Sequence, residues 1–117
     1  MKNSERRETG FKFLKETVEK DKPVILVICG GDGTVMWVVS ELHKYDIDHM
    51  KTPIAMLPLG TGNDFSRVLD WGAECPSDLL DDDLNELKKR VTYWLSAHSQ
   101  NLDIWMVECE VQEYGKF

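Results

Sequence analysis

The chain has 117 residues, of which 42% are hydrophobic, and a formal net charge of −7. That length supports one domain with its own core, and four Trp residues with this apolar content exclude a disordered segment. The acidic balance argues against nucleic acid or an anionic bilayer as a direct partner, and no run approaches the roughly 18 apolar residues of a membrane span.

Residues 4–20 read as a helix with Phe11, Leu14 and Val18 on one side, and no signal-peptide pattern precedes it. The apolar, mostly β-branched run Val24 to Cys29 reads as a strand buried on both faces, as in a parallel sheet. It leads directly into Gly30-Gly31-Asp32-Gly33-Thr34. Glycines lack a Cβ, so the backbone turns tightly and its N–H groups are bare. Thr34 is the expected cap of a following helix whose stripe is Val35, Val38, Val39 and Leu42. Strand, glycine loop and helix N-terminus together suit a bound phosphate. Asp32 is out of place there, because a carboxylate repels phosphate unless a metal ion lies between them or the carboxylate handles a proton. The turn lacks the Lys-Ser/Thr ending of a P-loop and the spacing of a dinucleotide fingerprint, and a bare tight βα connection is the competing explanation.

A second unit follows. Pro53 to Leu57 reads as another buried strand and runs into Pro58-Leu-Gly-Thr-Gly-Asn-Asp64, with Asn63 or Asp64 placed to cap a short helix over residues 65–69. In an open α/β sheet the carboxyl ends of neighbouring strands share one crevice, so both polar glycine loops are expected to face it. Packing alone accounts poorly for two such loops.

Residues 73–83 are polar and acidic, and then Leu80, Leu84, Leu87, Val91, Leu95 and His98 recur at helical spacing. Asp81, Asp82 and Asp83 precede that helix as dipole partners, because adjacent carboxylates do not converge on a metal. The Lys88-Lys89-Arg90 cluster reads as a solvated helix face. Leu102 to Val111 alternates apolar and polar residues and is expected to be a strand exposed on one side. Cys29, Cys75 and Cys109 show no paired spacing and imply reduced thiols of a cytosolic chain, and the three His residues suggest no zinc site.

Residues 28–38 (Ile-Cys-Gly-Gly-Asp-Gly-Thr-Val-Met-Trp-Val) and 56–67 (Met-Leu-Pro-Leu-Gly-Thr-Gly-Asn-Asp-Phe-Ser-Arg) resemble the eukaryotic diacylglycerol kinase catalytic domain, closely over 24–72. Trp71-Gly72 and Leu102-Asp-Ile-Trp105 resemble later landmarks of that family. The Gly-Gly-Asp-Gly element alone is shared with sphingosine, ceramide and NAD kinases and phosphofructokinases, whereas Leu-Pro-Leu-Gly-Thr-Gly-Asn-Asp narrows the choice. The resemblance implies ATP- and Mg2+-dependent phosphorylation of diacylglycerol to phosphatidic acid. By position, Gly30, Gly31, Gly33 and Thr34 would cradle nucleotide phosphates, and Thr61, Gly62 and Asn63 would line the same cleft. Asp32 would either hold Mg2+ or take the hydroxyl proton.

The expected fold is therefore α/β, a small parallel sheet layered with helices. Residues 1–100 would form a nucleotide-binding domain without the family's first strand and Asn-Pro-x-Ser-Gly type loop, and 101–117 a strand opening a β-rich accessory domain. The chain reads as a piece of a larger kinase, or as an unusually short one; as a piece it is expected to be inactive by itself, with cytoplasmic localisation and recruitment to membrane diacylglycerol by modules elsewhere. Two alternatives stand beside it: a kinase acting on a sphingoid lipid or NAD, and a non-catalytic nucleotide-binding regulatory fragment.

Overall fold

A computed structural model describes residues 2–110. The first helix, α1 (Lys2–Glu19), contains no proline and carries three ion pairs at i,i+4 spacing, Glu8–Lys12, Lys15–Glu19 and Glu16–Lys20. Its inner side is the expected one: Val18 is buried, and Phe11 and Leu14 are half-buried. Phe11 stacks on Tyr45 at 5.2 Å between ring centroids and meets Trp37 edge-on at 5.9 Å, fastening α1 to the next helix. Asp21, in left-handed backbone at φ 52°, ends the helical path.

Two strands, β1 (Leu26–Gly30) and β2 (Ile54–Pro58), pair in parallel with Leu26 opposite Ile54 and Gly30 opposite Pro58. They are joined by α2 (Asp32–Lys44) and a 3-10 turn at His49–Lys51. The β1–α2–β2 unit buries Ile28, Val35, Val38, Leu42, Ala55, Met56 and Leu57 in one core, the parallel α/β layering expected of the pattern. The strands differ in burial. Met56 is fully enclosed, as a central strand would be, but β1 is only half-buried and Cys29 is exposed. The expectation of a strand covered on both faces fails for β1: Ile28 is buried, but Cys29, on the opposite face, is exposed.

The connection from β1 to α2 is shorter than the glycine run suggested. Gly31 alone links them, in extended conformation (φ −105°, ψ −167°), and α2 begins at Asp32. Thr34 therefore does not cap this helix: it lies inside the first turn, where its N–H donates to Gly31 O at 3.1 Å. A short helix, α3 (Asp64–Val68), follows the second glycine loop.

The last helix, α4 (Asn85–Ser96), departs further from the periodic pattern. Residues 80–84 precede it, and its inward residues are Leu87, Arg90 and Trp94; of the expected stripe only Leu87 turns inward, while Leu80, Leu84, Val91, Leu95 and His98 are exposed. Polar contacts set this rotation. Arg90 donates to Trp71 O, Tyr93 hydroxyl donates to Asp70 O, and the Tyr93 and Trp71 rings meet edge-on at 5.1 Å. The strand expected over Leu102 to Val111 is absent from residues 101–110, which have no regular structure and pair with no neighbour; the remainder of that expected element lies outside the described residues.

Candidate functional site

Parallel pairing puts the carboxyl ends of β1 and β2 side by side, and Leu59 N–H donates to Gly30 O at 3.1 Å just beyond the ladder. Both glycine loops therefore leave the sheet at one edge, as the sequence pattern predicts. They touch through bare backbone. A Cβ on Gly60 would lie 2.6 Å from Gly31 Cα, and one on Gly31 would lie 3.1 Å from Gly60 Cα. These two glycines are required by the approach of one loop to the other. Gly30 is likewise confined, with Thr34 Oγ1 2.5 Å from where its Cβ would sit. Gly33, in the exposed first turn of α2, has no atom within 4 Å of that position. It is the glycine of the first loop that leaves open space for a ligand.

Asp32 is the pivot. Its Oδ1 accepts from Phe65 N–H at 2.8 Å and its Oδ2 from Asp64 N–H at 3.0 Å. A carboxylate at the start of α2 thus caps the N-terminus of α3, where orphan amides and the helix dipole favour negative charge. The predicted cap of α3 is met in position but not in chemistry. Asn63 occupies the N-cap position in left-handed backbone (φ 55°), yet its side chain makes no capping bond. Instead Asn63 Oδ1 accepts from Gly60 N–H at 2.9 Å, while its Nδ2 donates to Gly60 O at 2.7 Å and to Ala73 O at 2.8 Å. At 2% exposure its amide serves the protein interior, with no donor turned to a ligand.

Thr61 and Gly62 lie in the exposed run from Leu59 to Gly62 of the second loop, and the exposed Asp64 follows after the buried Asn63. Asp32 Oδ2 and Asp64 Oδ2 lie 3.6 and 3.9 Å from the Cβ position of Gly62, so both carboxylates flank that glycine. Hard oxygen donors in this number fit Mg2+, which binds through one or two carboxylates and completes its shell with water and substrate phosphate. No cluster of three or more metal-ligating side chains exists among the described residues. The structure thus gathers Gly31, Asp32, Gly33, Gly62 and Thr61 at one edge, and holds Gly30, Thr34 and Asn63 behind them as support.

Three residues outside the predicted set belong to this framework: Gly60, Asp64 and Ser66. Ser66 is fully buried and donates to Gly72 O at 2.7 Å, closing the segment after α3 back onto it. Gly60 and Asp64 stand within the quoted motif, but their roles depend on contacts with the first loop. Two hollows lie away from this edge, one of about 650 Å3 along the outer side of α4 and one of about 430 Å3 beside β1.

A family profile described as diacylglycerol kinase catalytic domain matches residues 1–94. The match takes in α1, so it is wider than the 24–72 stretch that carries the motifs, and it stops before Leu102. Among curated proteins, the chain is 35% identical over 88 residues to "Probable diacylglycerol kinase 3" of Caenorhabditis elegans, covering 75% of this chain and 10% of that protein. It is 39% identical over 82 residues to "Diacylglycerol kinase eta" of Drosophila melanogaster, covering 70% of this chain and 4% of that protein. The chain therefore spans a tenth or less of the length of these relatives. No solved structure matches it. Two glycine loops brought into backbone contact by a parallel βαβ unit, with a carboxylate bridging them, are thus the local form taken here by a known domain, and the chain belongs to the diacylglycerol kinase catalytic domain family.

Proposed function

We propose that this chain forms the phosphate-holding part of an ATP-dependent diacylglycerol kinase. The observation that carries the reading is the juxtaposition of the open first turn of α2, the exposed Thr61-Gly62 loop and the Asp32 and Asp64 carboxylates at one sheet edge, in a chain of this family. Because α3 is already capped by Asp32, the anion-binding capacity lies with α2, whose first amides and dipole are left for phosphate. In the reaction, the bond between the γ-phosphorus and the bridging oxygen of ATP breaks, and the lipid hydroxyl oxygen bonds to that phosphorus. ADP leaves, and the hydroxyl proton passes to a carboxylate or to water. Bound Mg2+ would neutralise the phosphate charge, held by Asp32 with Asp64. Alternatively Asp32 receives the proton, if the hydroxyl comes within hydrogen-bond reach. Diacylglycerol as acceptor, phosphatidic acid as product, and cytoplasmic residence with membrane recruitment by other modules complete the proposal.

A second reading has its own support. Both Asp32 oxygens already hold α3, which is what a non-catalytic nucleotide-binding repeat would need from that residue. Radiolabelled phosphate transfer on mixed micelles of diacylglycerol, by a kinase carrying these residues, separates the two. Asp32→Ala is expected to reduce turnover about a hundredfold or more. Near-normal turnover by a folded Asp32→Ala enzyme favours the structural role and overturns the catalytic one.

A further inference from the structure

An apolar groove lies beside β1. It measures about 430 Å3 and is lined by Pro23, Val24, Ile25 and Val27 on one side and Val91, Trp94 and Leu95 of α4 on the other. The ladder explains why it coincides with an open sheet edge. Leu26 N–H bonds to Pro53 O and Gly30 O accepts from Leu59, so residues 26, 28 and 30 face β2. By strand alternation the N–H and C=O groups of Val27 and Cys29 point the other way, toward no strand among the described residues. One more group waits there: the indole Nε1–H of Trp94 is buried and has no hydrogen-bond partner.

A strand suited to that edge lies in the same chain. Residues 102–109 (Leu-Asp-Ile-Trp-Met-Val-Glu-Cys) are rich in β-forming residues. Their large apolar side chains stand in solvent, from 47% exposed at Ile104 to 86% at Met106. Five exposed apolar side chains within six residues, four of them consecutive from Ile104 to Val107, mark a surface that is normally covered. α4 ends at Ser96, one residue past a groove-lining side chain, and the intervening residues 97–101 span about 17 Å when extended. The end of α4 lies beside the start of β1, so a tail running from there along the edge would run parallel to it.

We propose that residues 102–109 dock in cis on the open edge of β1 as a third parallel strand, giving the order β2-β1-tail. Its alternate side chains fill the groove, its backbone pairs with Val27 and Cys29, and one of its carbonyls accepts the Trp94 indole N–H. This inference is independent of the proposed kinase reaction.

Hydrogen exchange on the full chain tests it, with Leu95→Glu as the variant. Leu95 is 70% exposed, so its replacement leaves the fold intact if the tail is undocked. Docking predicts amide protection of at least about tenfold over 103–108 and at Val27 and Cys29, lost together in Leu95→Glu while the α2 and β2 amides keep theirs. Tail amides exchanging at unstructured rates in the parent chain would overturn the proposal, as would protection that Leu95→Glu leaves unchanged. Protection that grows with protein concentration, alongside a dimer in sedimentation, would assign the edge to the tail of a second copy and overturn docking in cis.

Discussion

Under the proposed function Asp32 carries two demands at once: its charge would serve phosphate transfer, while both its oxygens hold the first amides of α3. Asp32→Ala is therefore expected to cost about 1–2 kcal/mol of stability in addition to its effect on turnover, by loss of a helix cap. Asp32→Asn, which keeps one acceptor oxygen, should recover part of the stability in urea titrations. Equal stability of all three proteins would show that the cap contributes nothing. Gly60 and Gly33 make a paired test of the glycines. Gly60→Ala forces a methyl into Gly31 and should destabilise by roughly 1–3 kcal/mol. Gly33→Ala meets open space inside a helix and should stabilise by about 0.5–1 kcal/mol. If phosphate approaches there, the same Gly33→Ala chain should show a smaller ATP-induced rise in melting temperature than the parent. A larger rise would place the nucleotide elsewhere.

At the scale of elements, the start of α4 stores strain. Leu84 occupies its N-cap position in left-handed backbone at φ 51°, a conformation that branched side chains adopt at a cost. Leu84→Gly should raise stability by about 1 kcal/mol in thermal unfolding, and a loss of that size would mean that the Leu84 side chain matters more than its backbone. The link between α1 and the 3-10 turn is electrostatic. Hydrogen bonding and charge from Lys51 hold the Asp21 carboxyl below the usual carboxylate range, and Asp21 in turn raises Lys51. The contribution of this exposed bridge is present above the ordinary carboxylate pKa. It is lost as pH falls through the depressed Asp21 value, and again as pH rises through the raised Lys51 value. The stability difference between the parent chain and Lys51→Met should accordingly be flat near neutrality and vanish in acid. A difference that persisted at acid pH would show that Lys51 acts through its aliphatic stem.

For the whole molecule, the glycine loops meet at an edge where Gly33, Thr61 and Gly62 are exposed to solvent. Phosphoryl transfer draws much of its acceleration from positioning reactants and excluding water. The chain assayed alone should therefore fold, bind ATP–Mg2+ weakly and form little or no phosphatidic acid. Robust product formation on diacylglycerol micelles by these 117 residues would show that the edge suffices as it stands. An absence of any ligand-dependent shift in melting temperature would remove the nucleotide role itself.

Local pattern was enough to place the βα units and their shared edge: a β-branched run, a glycine turn and an apolar stripe each dictate structure within a few residues. It also singled out Asp32, because a carboxylate in a glycine turn between a strand and a helix N-terminus is chemically conspicuous. Sequence spacing placed α4 but, apart from Leu87, misjudged its inward face, which follows Arg90 and Tyr93 bonding to the backbone of Trp71 and Asp70, some twenty positions away in the chain. It also mistook Thr34 for a cap, because a single extended Gly31 sufficed to turn the strand into the helix. The distinction between glycines that permit loop contact and the glycine that leaves room for a ligand belongs to tertiary structure alone. Gly31 and Gly60 are 29 residues apart in sequence, and only the parallel pairing of their strands presses their backbones together. The same pairing carries Asp32 to the amides of α3, so a residue legible as chemistry proved to be architecture as well.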